Sequence, residues 1–245
     1  MSDFSHVLKT WRGMRRLSQL DLALEAGVSA RHISFLETGR ARLSREMVER
    51  LGEAMALPLE ARNRMHTGAG FAARYAGRTW DDAELAPIRR AVSHTLARHA
   101  PFPAMAIDRV WTVVQMNPPA EALFAPLGLA PGGSFLELMV SDHLPRLVEN
   151  WPEVAHHAAR RLRTESVAQG GVPALDAVAD HLAREAVPGD GAGPVLPVLL
   201  NTGTQRLALF ATIARFGTPG DVTLDDLQIE LWFPADAETE AYFGG

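Results

Sequence analysis

The chain has 245 residues, 47% of them apolar and 22% charged, with a formal net charge of −5 and no cysteine. This is an ordinary globular profile for one or two domains. No run approaches the ~18 apolar residues of a membrane helix, and disulfides, thiolate zinc sites and cysteine nucleophiles are excluded. Charge is uneven, because residues 1–66 hold eleven Lys or Arg against eight Asp or Glu, while the remainder holds thirteen against twenty-one. A locally basic segment in an acidic chain still suits an anionic partner. The opening Met1-Ser2-Asp3-Phe4-Ser5-His6 lacks the basic start and apolar core of a signal peptide, so cytoplasm is the expected location.

Between Ser18 and Gly39 the spacing predicts two short helices joined by a turn. Ser18 and Ser29 stand where each can accept orphan backbone N–H groups at a helix start. Gly27 falls where the first helix must end in a left-handed conformation. Leu22, Ala23, Ala26, Val28, Ile33 and Leu36 form an apolar seam, with Ala23 small at the expected crossing. The second helix then turns Ala30, Arg31, Ser34 and Phe35 outward on one face. A short helix presenting its N-terminal residues in this way fits the DNA major groove. The pattern is a helix-turn-helix.

Further along, a helix is expected from Ser44 with Met47, Val48, Leu51 and Met55 inward, and another from Leu59 to about Thr67. Gly68 to Arg78 contains three glycines and little periodicity, and reads as the start of a linker. The expected divisions are a DNA-binding domain at 1–67, a linker at 68–84 and a second domain at 85–245. Beyond Trp80 a helix should bury Ile88, Val92 and Leu96, together with Ala91 and Thr95. From Pro101 the period becomes two. Ala104–Ile107 and Val110–Met116 flank Asp108-Arg109 as a tight hairpin, and Asn117-Pro118-Pro119 ends it before a short helix at Ala120–Ala125. One long helix through Leu144–Arg163 and another from Pro173 follow. Strands are expected at Val195–Leu200, Gln205–Phe216 and Leu227–Phe233, the first two joined by a turn at Asn201-Thr202-Gly203. In the last strand Leu227, Ile229, Leu231 and Phe233 alternate with Gln228, Glu230 and Trp232, which places Trp232 on the outer face, available to a subunit contact. The chain is therefore α+β: an all-α five-helix unit, then an antiparallel five-stranded sheet with helices over one face.

Two resemblances sharpen this reading. Arg12, Ser18-Gln19, Leu22-Ala23, Ala26-Gly27-Val28-Ser29, Ile33 and Leu36-Glu37 with Gly39-Arg40 resemble the phage-repressor or XRE-type DNA-binding domain over Phe4–Arg64. That likeness implies that Gln19 lies beside a phosphate and that Ala30, Arg31, Ser34 and Phe35 face base edges. Arg40 and Arg42 would meet the backbone, Ser29 completes the DNA-binding set, and Arg12 and Glu37 would form an internal ion pair. Pro103-Ala104 with Asp108, Trp111 with Val113 and Asn117, Asn150-Trp151, and Leu209-Phe210 with Thr212-Ile213-Ala214, Phe216-Gly217 and Val222-Thr223-Leu224 resemble the MmyB-type ligand-binding domain from about Leu85 onward. That family implies a PAS-like fold, a transcription-regulator role and an apolar ligand such as a fatty acid. The chain departs from its usual Ala-Trp before Asn117, having Gln115-Met116.

Candidate ligand-binding residues are Phe102, Trp111, Met116, Asn117, Phe135, Arg146, Asn150 and Phe210, with Arg160 and Arg163 nearby. An arginine fork on a carboxylate would suit a fatty-acid head group. Adjacent His156-His157 cannot share a metal as i, i+4 histidines can, so no metal or cofactor is expected. Gly132-Gly133-Ser134 and Gly189–Gly193 read as turns, and Asp176 and Asp180 as solvated charges. No catalytic constellation supports an enzyme. The leading reading is a dimeric, ligand-responsive regulator of double-stranded DNA with no membrane partner. The alternative gives the C-terminal half an antitoxin-like protein-interaction role.

Overall fold

A computed structural model describes residues 3–188, 195–217 and 219–244. Gly189–Gly193, expected as a turn, lies outside the described residues. The chain divides into two compact units, the first comprising Met1–Gly77, Val167–Gly171 and Pro219–Asp225, the second the rest.

The first unit holds five helices: α1 (Asp3–Met14), α2 (Gln19–Glu25), α3 (Ala30–Glu37), α4 (Arg45–Ala54) and α5 (Leu59–Gly68). The Ser18 hydroxyl accepts from the Asp21 N–H at 3.1 Å while the Asp21 carboxylate accepts from the Ser18 N–H at 2.8 Å, a reciprocal cap on α2. Ser29 caps α3 through the His32 N–H. Gly27 has φ +63° between the two helices. Phe4, Leu8, Leu22, Ile33, Leu36, Leu51 and Met65 are fully enclosed around this turn. Residues 68–77 are not loose. Asn63 accepts from the Arg74 and Tyr75 N–H groups at 2.9 Å each and donates to the Tyr75 carbonyl. The Tyr75 hydroxyl donates to buried Glu49, which also pairs with His66 and Arg62.

In the second unit α6 (Ala86–His99) precedes β1 (Ala104–Ile107) and β2 (Val113–Met116). Val92 and Leu96 of α6 are buried, but Ala91 and Thr95 are exposed, because they fall on the helix side away from the sheet. The β1–β2 connection is longer than a tight turn. Asp108 accepts from the Val110 and Thr112 N–H groups, and Trp111 sits at φ +60° rather than in a strand. That region is uncommon for a bulky side chain; here it buries the indole. Asn117 caps α7 (Pro118–Phe124), which starts on the two prolines themselves, since a missing N–H costs nothing in a first turn. Ser134 caps α8 (Phe135–Met139).

The single long helix expected through Leu144–Arg163 is two, α9 (Leu144–Leu147) and α10 (Trp151–Ala168). Between them Val148–Asn150 lies against a strand edge: Glu149 donates to the Leu199 carbonyl, while Asn150 accepts from the Leu199 N–H and donates to the Pro197 carbonyl. Then come α11 (Pro173–Leu182), β3 (Val198–Asn201), β4 (Arg206–Arg215), α12 (Val222–Asp225), which counts with the first unit, β5 (Gln228–Pro234) and α13 (Ala237–Gly244). The sheet is fully antiparallel in the order β2-β1-β5-β4-β3. The chain is α+β as expected, but helices cover both sheet faces. Val92 and Leu96 of α6 meet Ala104, Ala106, Leu227 and Ile229 on one. The larger core around Met105, Ile107, Trp111, Trp151, Ala155 and Leu162 lies on the other.

This reverses the sidedness expected for β5. Gln228, Glu230 and Trp232 do alternate with Leu227, Ile229 and Leu231, but they face the larger core, and Gln228 and Glu230 are buried. Trp232 packs edge-on against Phe124, with ring centroids 5.6 Å apart, so it is not an outer-face contact residue.

Candidate DNA-reading surface and ligand cavity

The caps and Gly27 fix α3 so that Arg31 stands exposed at its second position. Its guanidinium lies 5.1 Å from the Phe35 ring centroid, holding both side chains on one face. Ser34 and Phe35 are half-buried, and Ala30 packs its methyl on the core beneath. Arg40 and Arg42 are exposed beyond the end of α3. Ser29 spends its hydroxyl on the helix cap. Gln19 donates its amide to Glu37 at 2.7 Å. Arg12 Nε lies 2.6 Å and Nη2 3.2 Å from the two Glu37 oxygens, and Nη1 donates to the Leu17 carbonyl. Burial opposes ionisation of Glu37, but the hydrogen bonds from Arg12 and Gln19 outweigh it and hold its pKa below the ordinary glutamate value.

In the second unit, a cavity of about 430 Å³ opens between the sheet and the helices of the larger core. Its wall is apolar: Met105 and Ile107 from β1, Trp111, Phe124, Phe135, Trp151, Phe210 and Trp232, with Ala158 of α10 beneath. His157, Arg161 and Glu230 supply the ionisable groups. Of the candidate ligand residues, Trp111, Phe135 and Phe210 line this space. The others have different surroundings. Phe102 joins a ring cluster with His99, Phe233 and Phe243. Met116 fills the core. Asn117 knits Ala104, Leu96, Phe102 and Ala120 together through four hydrogen bonds, and Asn150 holds the β3 edge. Arg146 and Arg160 are exposed, and Arg163 pairs with Asp180 at the surface.

The polar end of the cavity rests on residues absent from the candidate list. Arg161 Nε donates to Glu165 at 2.8 Å; its Nη2 donates to Gln228 at 3.3 Å and to Glu230. Trp111 Nε1 and Gln228 Nε2 donate to the other Glu165 oxygen at 3.0 and 3.2 Å. The guanidinium also lies 4.4 Å from the Trp111 ring centroid. Burial alone would raise the Glu165 pKa, but Arg161, Trp111 and Gln228 together bring it below the usual value. The one sequence signal for this group is the i, i+4 pair Arg161–Glu165 on the α10 face that also carries Val154 and Ala158. Among the described residues, no group of three or more His, Asp or Glu side chains could hold a metal ion.

This geometry accords with two family matches. Residues 3–65 match a helix-turn-helix domain, and residues 88–243 match the MmyB-like transcription regulator ligand binding domain. The chain belongs to the MmyB-like transcription regulator family. None of the curated proteins matches it. The MmyB-like match spans every strand of the sheet and all the residues lining the cavity. The chain is thus a DNA-binding regulator with a ligand-binding domain, and no helix among the described residues is long and apolar enough to cross a membrane.

Proposed function

We propose that this MmyB-like regulator binds duplex DNA as a cytoplasmic homodimer and that an apolar small molecule in the cavity changes how tightly it binds. The carrying observation is the cavity of about 430 Å³, walled by aromatic and aliphatic side chains, in the same chain as a helix-turn-helix. Small-molecule sites have this size and lining. A hollow between sheet and helices suits a small ligand better than an antitoxin-like grip on a protein, which would need an exposed patch. An aliphatic chain, as in a fatty acyl group, matches the wall. Dimerism follows from economy of reading. One recognition helix touches few base pairs, so twofold pairing on a palindrome supplies the missing specificity. Ligand shifts DNA affinity only through its different affinity for the DNA-competent and other states.

The test starts from duplexes selected out of a random library by the full chain. Anisotropy titrations with and without an apolar probe, and sedimentation of the complex, should show a palindromic site, two chains per duplex and a probe-dependent affinity. Equal binding to unrelated duplexes, unaffected by any apolar probe, would overturn the proposal.

A further inference from the structure

Of the apolar side chains on α3, the largest stays out of the core. Ala30, Ile33 and Leu36 join the apolar cluster of the first unit, whereas Phe35 does not. Phe35 is only half-buried, and its ring instead carries the Arg31 guanidinium, 5.1 Å from the centroid. It therefore stands on the outward face with Arg31 and Ser34. Stacking on the ring occupies a flat face of the guanidinium and leaves its N–H edge free to donate.

A helix in the major groove meets the edges of stacked base pairs, so a phenyl ring there has no base face to stack on. Those edges display hydrogen-bond donors and acceptors, together with one apolar group in unmodified DNA, the C5 methyl of thymine. A phenyl ring offers neither donor nor acceptor. It gains from covering a methyl, and it loses where it strips water from an amino or carbonyl group without replacing the hydrogen bond. We infer that Phe35 is a specificity residue that covers a thymine methyl at a fixed position of each half-site. Arg31 sets where that position lies. Ring and guanidinium are 5.1 Å apart, between one and two base-pair steps of about 3.4 Å, so the thymine falls within two base pairs of the group that Arg31 contacts. The inference rests on α3 being the helix that enters the groove, and adds what that helix selects.

The experiment uses the full chain and the duplex selected from the random library. Each thymine is replaced in turn by deoxyuridine, which pairs identically but lacks the C5 methyl. One replacement per half-site should weaken binding about fourfold, the worth of one buried methyl group, and the others should change little. Phe35→Ala should bind the thymine and deoxyuridine duplexes alike, while Phe35→Leu, which keeps an apolar tip, should retain the preference. The deoxyuridine series on the unmodified chain needs no variant, so a folding defect in either one leaves the test intact. A selected half-site without thymine, or affinity unchanged by every replacement, would overturn the assignment and leave sequence-specific binding standing. So would a thymine preference that survives intact in a folded Phe35→Ala chain. If no duplex is preferred at all, the sequence-reading proposal itself fails and the thymine assignment falls with it.

Discussion

Arg12 holds Glu37 through two of its nitrogens, one of them at 2.6 Å, and so ties the last turn of α1 to the last residue of α3. Glu37 is buried at 5% exposure, whereas Arg12 keeps 17%. Glu37→Ala should therefore cost about 2–3 kcal/mol in chemical unfolding, somewhat below the ~3–5 kcal/mol typical of a fully buried pair that loses one partner. A double-mutant cycle with Arg12→Ala should show strong coupling; additive losses would mean that the two side chains act independently.

The same pair sets a pH dependence. Because Glu37 ionises more readily in the folded chain, the unfolded chain binds more protons in acid. The contribution is complete above the ordinary glutamate pKa of about 4.3 and is lost as pH falls through the lower folded value. Glu165 shares the direction, for the reasons given above. The stability gap between the unmodified chain and Glu37→Gln should thus shrink on acidification below that point; a gap constant from neutrality to strong acid would contradict it.

On the DNA surface, Arg31 and Arg42 should behave differently. Arg31→Ala should cost about 1–3 kcal/mol on the selected site and relax the sequence preference, as loss of a base contact does. Arg42→Ala should weaken all duplexes alike and lower the slope of log affinity against log salt by about one. Uniform loss for Arg31→Ala would place it on phosphate.

Gly68 closes α5 against the start of α1. A Cβ there would stand 2.8 Å from the Phe4 backbone nitrogen and 3.1 Å from the Asp3 carbonyl carbon. Backbone atoms cannot swing aside like a side-chain tip, so Gly68→Ala should destabilise the first unit by about 1–3 kcal/mol. Thermal unfolding unchanged from the parent would show that α1 shifts freely.

The helix-turn-helix was legible because its signals are local: Ser18, Gly27 and Ser29 act within four residues of their partners. The cavity's polar end was not, because Arg161 meets Gln228 and Glu230 only across separations of 67 and 69 residues. Alternation in β5 separated two sets of side chains correctly but carried no information on which faced the larger core. Polar Gln228 and Glu230 looked like the wet side; a cation from α10 is what lets them be buried. Likewise the α9–α10 break depends on Asn150 finding the edge of β3, a partner that helical periodicity does not register.

The position of β5 also governs when the second unit can form. It pairs with β1 on one side and β4 on the other, so it is the last strand made and the one that joins the two halves of the sheet. On the ribosome, β1–β2 and β3–β4 must wait as separate ribbons, each with an open edge, until Gln228–Pro234 emerges. Pairings this distant in sequence also fold slowly. A chain stopped before Gln228 would retain the helix-turn-helix residues yet lack the strand that supplies Glu230 and Trp232 to the cavity. Its unjoined ribbons would be prone to pairing with other chains.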